Sequence, residues 1–322
     1  MNKQSVKNLF LTLTLIIAAA AAGRQTQSDT VAPVPNLTEQ APKTTPPEKS
    51  HRPAATTPAP ATLPPMQKFG ARPERPARPE RLKSNVTDPG MVEHMDGITD
   101  CIPPDGDERV LYLTLDLCSG GFDAELIDWL AANKIPTTIF MTTRWIFPER
   151  ATPARPAQFR KIAKNPIFQI ENHGFEHLPA SSFGGRAYGI AGTRNLQELQ
   201  DEIMIAQGVI KNAIGGAVGP DFRDMEHDRI PGFYRSGTAM YDAAAVRYIT
   251  EDLGLKIAGF KIAIDAGGTF TATQVYNEMM RSRPGYILLG HANRPGSGTN
   301  AGIRRAIPEL IARGYVFHHL PR

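Results

Sequence analysis

The stretch Val110-Leu-Tyr-Leu-Thr-Leu115-Asp116 decides the fold. An apolar run this short, ending at an acidic residue, reads as a strand buried on both faces. Residues 123–133 follow with Leu126, Ile127 and Leu130 at helical spacing, and residues 137–141 are strand-like again. Strand, helix and strand of these lengths make a βαβ unit, whose strands run parallel. The alternation continues outward to the C-terminus. Helices are expected at 156–164, 195–213, 242–253, 271–282 and 303–313, and strands at 167–170, 232–235, 256–264, 286–289 and 315–318. Gly254 marks one helix stop. The expected fold is therefore α/β with a parallel sheet, open or closed into a barrel, and any site should lie at the strands' C-terminal ends. Residues 292–302, rich in Gly and Asn, read as a mobile rim loop; they lack Gly-Lys-Ser/Thr, which excludes a phosphate loop.

Upstream of this pattern the composition changes. Thirteen of the 28 prolines lie in residues 31–80, where Phe69 is the sole aromatic. Such a segment buries too little apolar surface to offset its ordering entropy. Residues 1–80 carry ten basic and five acidic residues; the remainder carries 26 and 27. The positive charge thus belongs to the N-terminal part, and nothing in the near-neutral domain calls for nucleic acid. Lys3 and Lys7 precede the 14-residue apolar run 9–22, short for a membrane span of about 20 residues but suited to a signal peptide. The expected organisation is a signal peptide at 1–23, a disordered basic Pro/Ala/Thr-rich linker at 24–85 and a folded domain at 86–322. That organisation implies export to the periplasm, cell envelope or exterior, with no membrane span left after cleavage. In an oxidising compartment Cys101 and Cys118 are either a disulfide or two buried free thiols, since spacing says nothing of their separation.

Six ionisable residues fall at five strand ends: Asp116, His173, His177, Arg235, Asp265 and His291. Their coincidence points to one site. His173-Gly-Phe-Glu-His177 matches the H-x-x-E-H pattern of inverted zinc peptidases, but that chemistry needs a helix. Gly174 and Pro179 fit a loop instead. Two neutral imidazoles suit Zn²⁺, with Co²⁺, Ni²⁺ or Fe²⁺ as alternatives.

In order along the chain, these segments resemble the polysaccharide deacetylase family, the carbohydrate esterases with a NodB homology domain. Thr114-Leu-Asp116 resembles the first family motif, Glu171-Asn-His173-Gly-Phe-Glu-His177 the second, and Tyr234-Arg235-Ser-Gly-Thr238 the third. Ile262-Ala-Ile-Asp265 weakly resembles the fourth, and Ile287-Leu-Leu-Gly-His291 the fifth. The resemblance implies a deformed (β/α) barrel and a metal-dependent N-deacetylase acting on glycans that contain N-acetylhexosamine. It implies Asp116 as general base, His173 and His177 as metal ligands, Arg235 as partner of Asp116, and His291 as general acid supported by Asp265. A backbone N–H near Thr238 would face the oxyanion.

The sequence also departs from the family. The family's second Asp, its third metal ligand, is Leu117 here, and the chain continues Cys118-Ser-Gly-Gly-Phe-Asp123. Asp123 is expected to swing in as third ligand; a helix N-cap is its alternative role. Water, a backbone carbonyl or a Cys118 thiolate are the other ways to complete the shell. The third motif lacks its prolines and aromatic residue and the fourth its tryptophan, so Trp145 is proposed as a glycan platform, with a core position as its alternative. Two further functions stay open: an envelope glycan-binding module that lost its metal, and an amidase or imidase acting on small cyclic amides.

Overall fold

The computed structural model describes residues 86–118, 121–146, 156–163, 165–214 and 232–321. The expected signal peptide and linker, 1–85, lie outside the described residues. The strands are β1 (Ile98–Thr99), β2 (Arg109–Leu117), β3 (Thr137–Met141), β4 (Phe168–Asn172), β5 (Arg186–Ala187), β6 (Ile190–Ala191), β7 (Phe233–Tyr234), β8 (Lys256–Ala258), β9 (Ile262–Ala263), β10 (Ile287–His291) and β11 (Tyr315–Phe317). The helices are α1 (Ala124–Ala132), α2 (Pro156–Ala163), α3 (Leu196–Ile214), α4 (Ala243–Arg247), α5 (Ala272–Met279) and α6 (Gly298–Ala312).

Nine strands form one sheet in the order β1-β8-β7-β4-β3-β2-β10-β9, with β11 beside the start of β2. Every strand pair in it is parallel. The sheet curls. An antiparallel bridge from Cys101 to Tyr286, and the Ile102 N–H donating to the Gly285 carbonyl at 2.8 Å, bring its β1 end back to β10. The result is a deformed (β/α) barrel of the expected type.

Side-chain alternation along β2 explains the layering. Leu111, Leu113, Leu115 and Leu117 face outward into a core shared with Leu126, Ile127 and Leu130 of α1 and with Ile303 and Ile307 of α6. Full burial of each such side chain contributes about 1.5–3 kcal/mol. Val110 and Tyr112 face inward, in a cluster with Phe140, Phe233, Ile287 and Leu289. The next inward positions are Thr114 and Asp116, so the polar site lies above this apolar cluster, beside which Thr138, Gln169 and the buried Glu171 also face inward.

Three elements differ from the sequence expectation. The helix expected at 242–253 is α-helical only as far as Arg247 and continues as a π-helix over Tyr248–Asp252. The run 256–264 is two strands, because Ile257 and Ala258 pair with β1 whereas Ile262 and Ala263 pair with β10. The turn between them hands the chain from one neighbour to the other. Residues 298–302, expected in a loop, form the first turns of α6 behind the N-cap Ser297. Their glycines serve close packing. A Cβ on Gly302 would lie 2.4 Å from Val275 Cβ of α5, and one on Gly298 would lie 2.3 Å from the Phe270 carbonyl oxygen. Strands β1, β5 and β6 have two residues each and leave no periodic signature. Among the described residues, no helix is long and apolar enough to cross a membrane.

Candidate active site

The register between β2 and β10 places Asp116 directly beside His291. Asp116 is buried, and Arg235 Nη1 donates to its Oδ1 at 2.7 Å. Arg235, which follows β7, is fully buried yet satisfied at every nitrogen. Nε donates to the Ala258 carbonyl, Nη2 to the Gly259 carbonyl and Nη1 also to Thr114 Oγ1. Its guanidinium lies 4.0 Å from the Phe140 ring centroid. Thr114 passes its own hydroxyl hydrogen to the Leu288 carbonyl, which leaves its oxygen to accept from Arg235. Burial disfavours the Asp116 anion, but the Arg235 charge, then His173 and His291, together with the Arg235 hydrogen bond, outweigh it and hold the carboxyl below its usual range.

His173 follows β4 and is fully buried. Its Nδ1 lies 2.8 Å from the Arg235 carbonyl oxygen. A carbonyl only accepts, so Nδ1 carries the proton and Nε2 presents a lone pair in the neutral ring. Nε2 lies 3.5 Å from Asp116 Oδ2 and 3.6 Å from Cys118 Sγ. His177 sits edge-on to it, with ring centroids 4.7 Å apart. One ligand atom each from Cys118, His173 and His177 falls within 4.8 Å of the others, as do those of Asp116, Cys118 and His291.

The His173–His177 segment is a loop, which removes the helical peptidase geometry. Asn172 Oδ1 accepts from the Gly174 N–H, and Glu202 Oε1 of α3 accepts from the N–H groups of Glu176 and Leu178. Gly174 has φ +80°, and a Cβ there would lie 2.6 Å from Glu202 Oε1. The loop thus closes tightly over a buried carboxylate. On its other side, a Cβ on Gly237 would lie 2.2 Å from the His177 carbonyl oxygen. Thr238 next to it has φ +67°, and its buried Oγ1 has no hydrogen-bond partner.

Asp265 follows β9 and accepts three bonds: from the His291 N–H at 2.7 Å, from His291 Nδ1 at 2.9 Å and from Thr299 Oγ1 at 2.8 Å. The His291 and Thr299 bonds offset its burial, and the carboxyl stays below its usual range. Burial alone would lower His291, but its hydrogen bond to Asp265, then its contacts with Cys118, push it well above an ordinary histidine.

Two expected site residues lie elsewhere. Asp123 is the N-cap of α1: its carboxylate accepts from the Leu126 N–H at 2.9 Å and from Asn300 Nδ2 at 3.2 Å. Its own N–H donates to the Ala292 carbonyl. It does not join the ligand cluster. The side chain beside the histidines is Cys118, because strand alternation turns Leu117 into the core and the next residue back toward the site. Trp145 is also a core residue, 4% exposed and edge-on to Phe159. A ring so placed has no open face for a sugar. Cys101 and Cys118 are both free thiols, so the disulfide reading falls. Sequence reasoning passed over Thr114, Asn172, Glu202 and Thr299. Of these, Thr114 carried a signal: a polar residue two before Asp116 on the same strand face.

Residues 104–223 match the family model described as polysaccharide deacetylase. Among solved structures the chain is similar to the Bc1960 peptidoglycan N-acetylglucosamine deacetylase, with 19% identity and a TM-score of 0.51 over 67% of this chain and 87% of that one. It is also similar to the Xyl-CE4 domain of a multidomain xylanase from the hindgut metagenome of Trinervitermes trinervoides (16% identity, TM-score 0.50, 66% and 88% covered). A third is PdaA of Bacillus subtilis, a family 4 carbohydrate esterase (19% identity, TM-score 0.50, 68% and 82% covered). At these identities the likeness is one of fold. No curated protein matches the chain in sequence.

Proposed function

We propose that the chain, whose residues 104–223 match the polysaccharide deacetylase model, is a divergent member of that family: an exported, metal-dependent hydrolase that removes N-acetyl groups from N-acetylhexosamine units of an envelope polysaccharide, peptidoglycan or exopolysaccharide. One observation carries the reading. A carboxylate held anionic and an imidazole held protonated stand in register on adjacent strands, beside a histidine pair. Hydrolysis of an unactivated amide needs such a base and acid, charged at the same pH.

The donor set fits a divalent cation such as Zn²⁺, Co²⁺, Ni²⁺ or Fe²⁺. His173 is fixed in the tautomer that presents Nε2, and His177 stands edge-on to it. When bound there, the cation would lower the pKa of water and polarise an acyl oxygen. The remaining steps belong to the chain. Asp116 takes a proton from water as the oxygen attacks the acetyl carbonyl carbon. The C–N bond then breaks, and His291 hands its Nε2 proton to the departing amine nitrogen. Acetate and a free amine leave. Arg235 keeps Asp116 ionised until it takes that proton, and Asp265 with Thr299 keeps His291 oriented. Export rests on the apolar run 9–22 behind Lys3 and Lys7.

The test is a substrate panel of N-acetylglucosamine oligomers, peptidoglycan fragments and O-acetylated xylan. New free amine on either N-acetylated substrate is the expected result. Turnover confined to the O-acetyl ester would overturn the N-deacetylase reading.

A further inference from the structure

Resting on the metal-dependent reading above, we propose that Cys118 is the third protein ligand of the metal site, making it a Cys-His-His centre. The family's carboxylate position is Leu117, whose side chain is buried in the core shared with α1 and α6. Asp123 is committed to the N-cap of α1 and to Asn300. Asp116 is held at Oδ1 by Arg235. Cys118 is the group within reach of both histidines among the described residues.

The spacing fits one tetrahedral ion. A Zn–S bond of about 2.3 Å and a Zn–N bond of about 2.05 Å at a tetrahedral angle put sulfur and nitrogen about 3.5 Å apart. Cys118 Sγ and His173 Nε2 are 3.6 Å apart. The His173 lone pair faces that sulfur, because Nδ1 is spent on the Arg235 carbonyl. Three protein ligands leave the fourth position open, as hydrolytic zinc sites require. A thiolate in place of a carboxylate also shifts preference toward thiophilic ions, Zn²⁺ or Co²⁺ over Mn²⁺ or Mg²⁺.

The experiment loads the full chain with Co²⁺ and records both stoichiometry and the near-ultraviolet absorption that thiolate-to-cobalt charge transfer produces. The chain has two cysteines, so Cys101→Ser isolates the signal. One Co²⁺ per chain, with the band present in the wild type and in Cys101→Ser, is expected. Cys118→Asp should keep Co²⁺ without the band, and Cys118→Ala should bind at least tenfold more weakly while retaining its circular dichroism. Bound Co²⁺ without the band would overturn the thiolate ligand and leave the metal-dependent reading standing. Undiminished Co²⁺ affinity in Cys118→Ala would do the same. A folded wild type that takes up no Co²⁺ or Zn²⁺ would overturn both.

Discussion

Arg235 is wholly buried, and its donors meet two oxygens of β2 (Thr114 and Asp116) and two carbonyls at the end of β8 (Ala258 and Gly259). Removing it leaves the Asp116 carboxylate buried without its cation. Loss of one partner of a buried pair costs about 3–5 kcal/mol. We expect Arg235→Met to unfold at correspondingly lower denaturant or temperature. The Asp116 pKa should also rise, since the Arg235 charge is the largest influence lowering it. The acidic limb of the activity profile should therefore move to higher pH, which a kcat/KM titration reads directly. His291 gives the opposite sign. Its raised pKa keeps the acid protonated beyond the ordinary histidine range, and Asp265 is the leading cause of that rise. Asp265→Asn should bring the alkaline limb down to lower pH; an unmoved limb would remove His291 from the role of acid. Asp116, His173, Arg235, Asp265 and His291 were legible in the sequence as polar residues at strand ends. Cys118 against Asp123 was not decidable there. Both follow the strand, and choosing between them depends on where β2 stops alternating and on Asp123 finding the α1 N-terminus first.

At the scale of elements, the strand–helix alternation was readable because buried parallel strands are short unbroken apolar runs and their helices carry one apolar stripe. Strand β3 falls on the expected residues, and helices α1, α2 and α3 are within one residue at each end. What failed was local chemistry read without its neighbours. Gly298 and Gly302 suggest flexibility in sequence, yet in three dimensions they let α6 lie against α5 and the turn before it. Gly302→Val should overpack that contact by about 1–3 kcal/mol, seen as a lower Tm with the acid and base limbs unmoved. The His173–His177 loop depends on α3 in the same way. Glu202→Ala removes the acceptor of two buried N–H groups, at about 1–3 kcal/mol each left unsatisfied. It should lower Tm and weaken metal binding together. Glu202→Gln keeps an acceptor oxygen and should recover most of both.

At the scale of the whole molecule, the charge and proline distribution separates residues 1–80 from a near-neutral domain. We expect deletion of residues 31–80 to leave both Tm and turnover of soluble oligomers unchanged; a large loss in either would make the segment part of the fold. The domain itself places its candidate acid and base at the C-terminal ends of a curled sheet, above an interior that is largely apolar but also holds Thr138, Gln169 and the buried Glu171 carboxylate. That arrangement lets one base and one acid hold opposite charges side by side, and it is the basis of the hydrolase account. The direct measurement is acetate release from N-acetylglucosamine oligomers by the Zn²⁺- or Co²⁺-loaded protein, with Asp116→Asn as the control. The account predicts metal-dependent release that falls at least about 100-fold in Asp116→Asn, the range a positioned general base contributes. Acetate release that is equal in the two proteins, or absent from a metal-loaded wild type on every N-acetylated glycan tried, would contradict it.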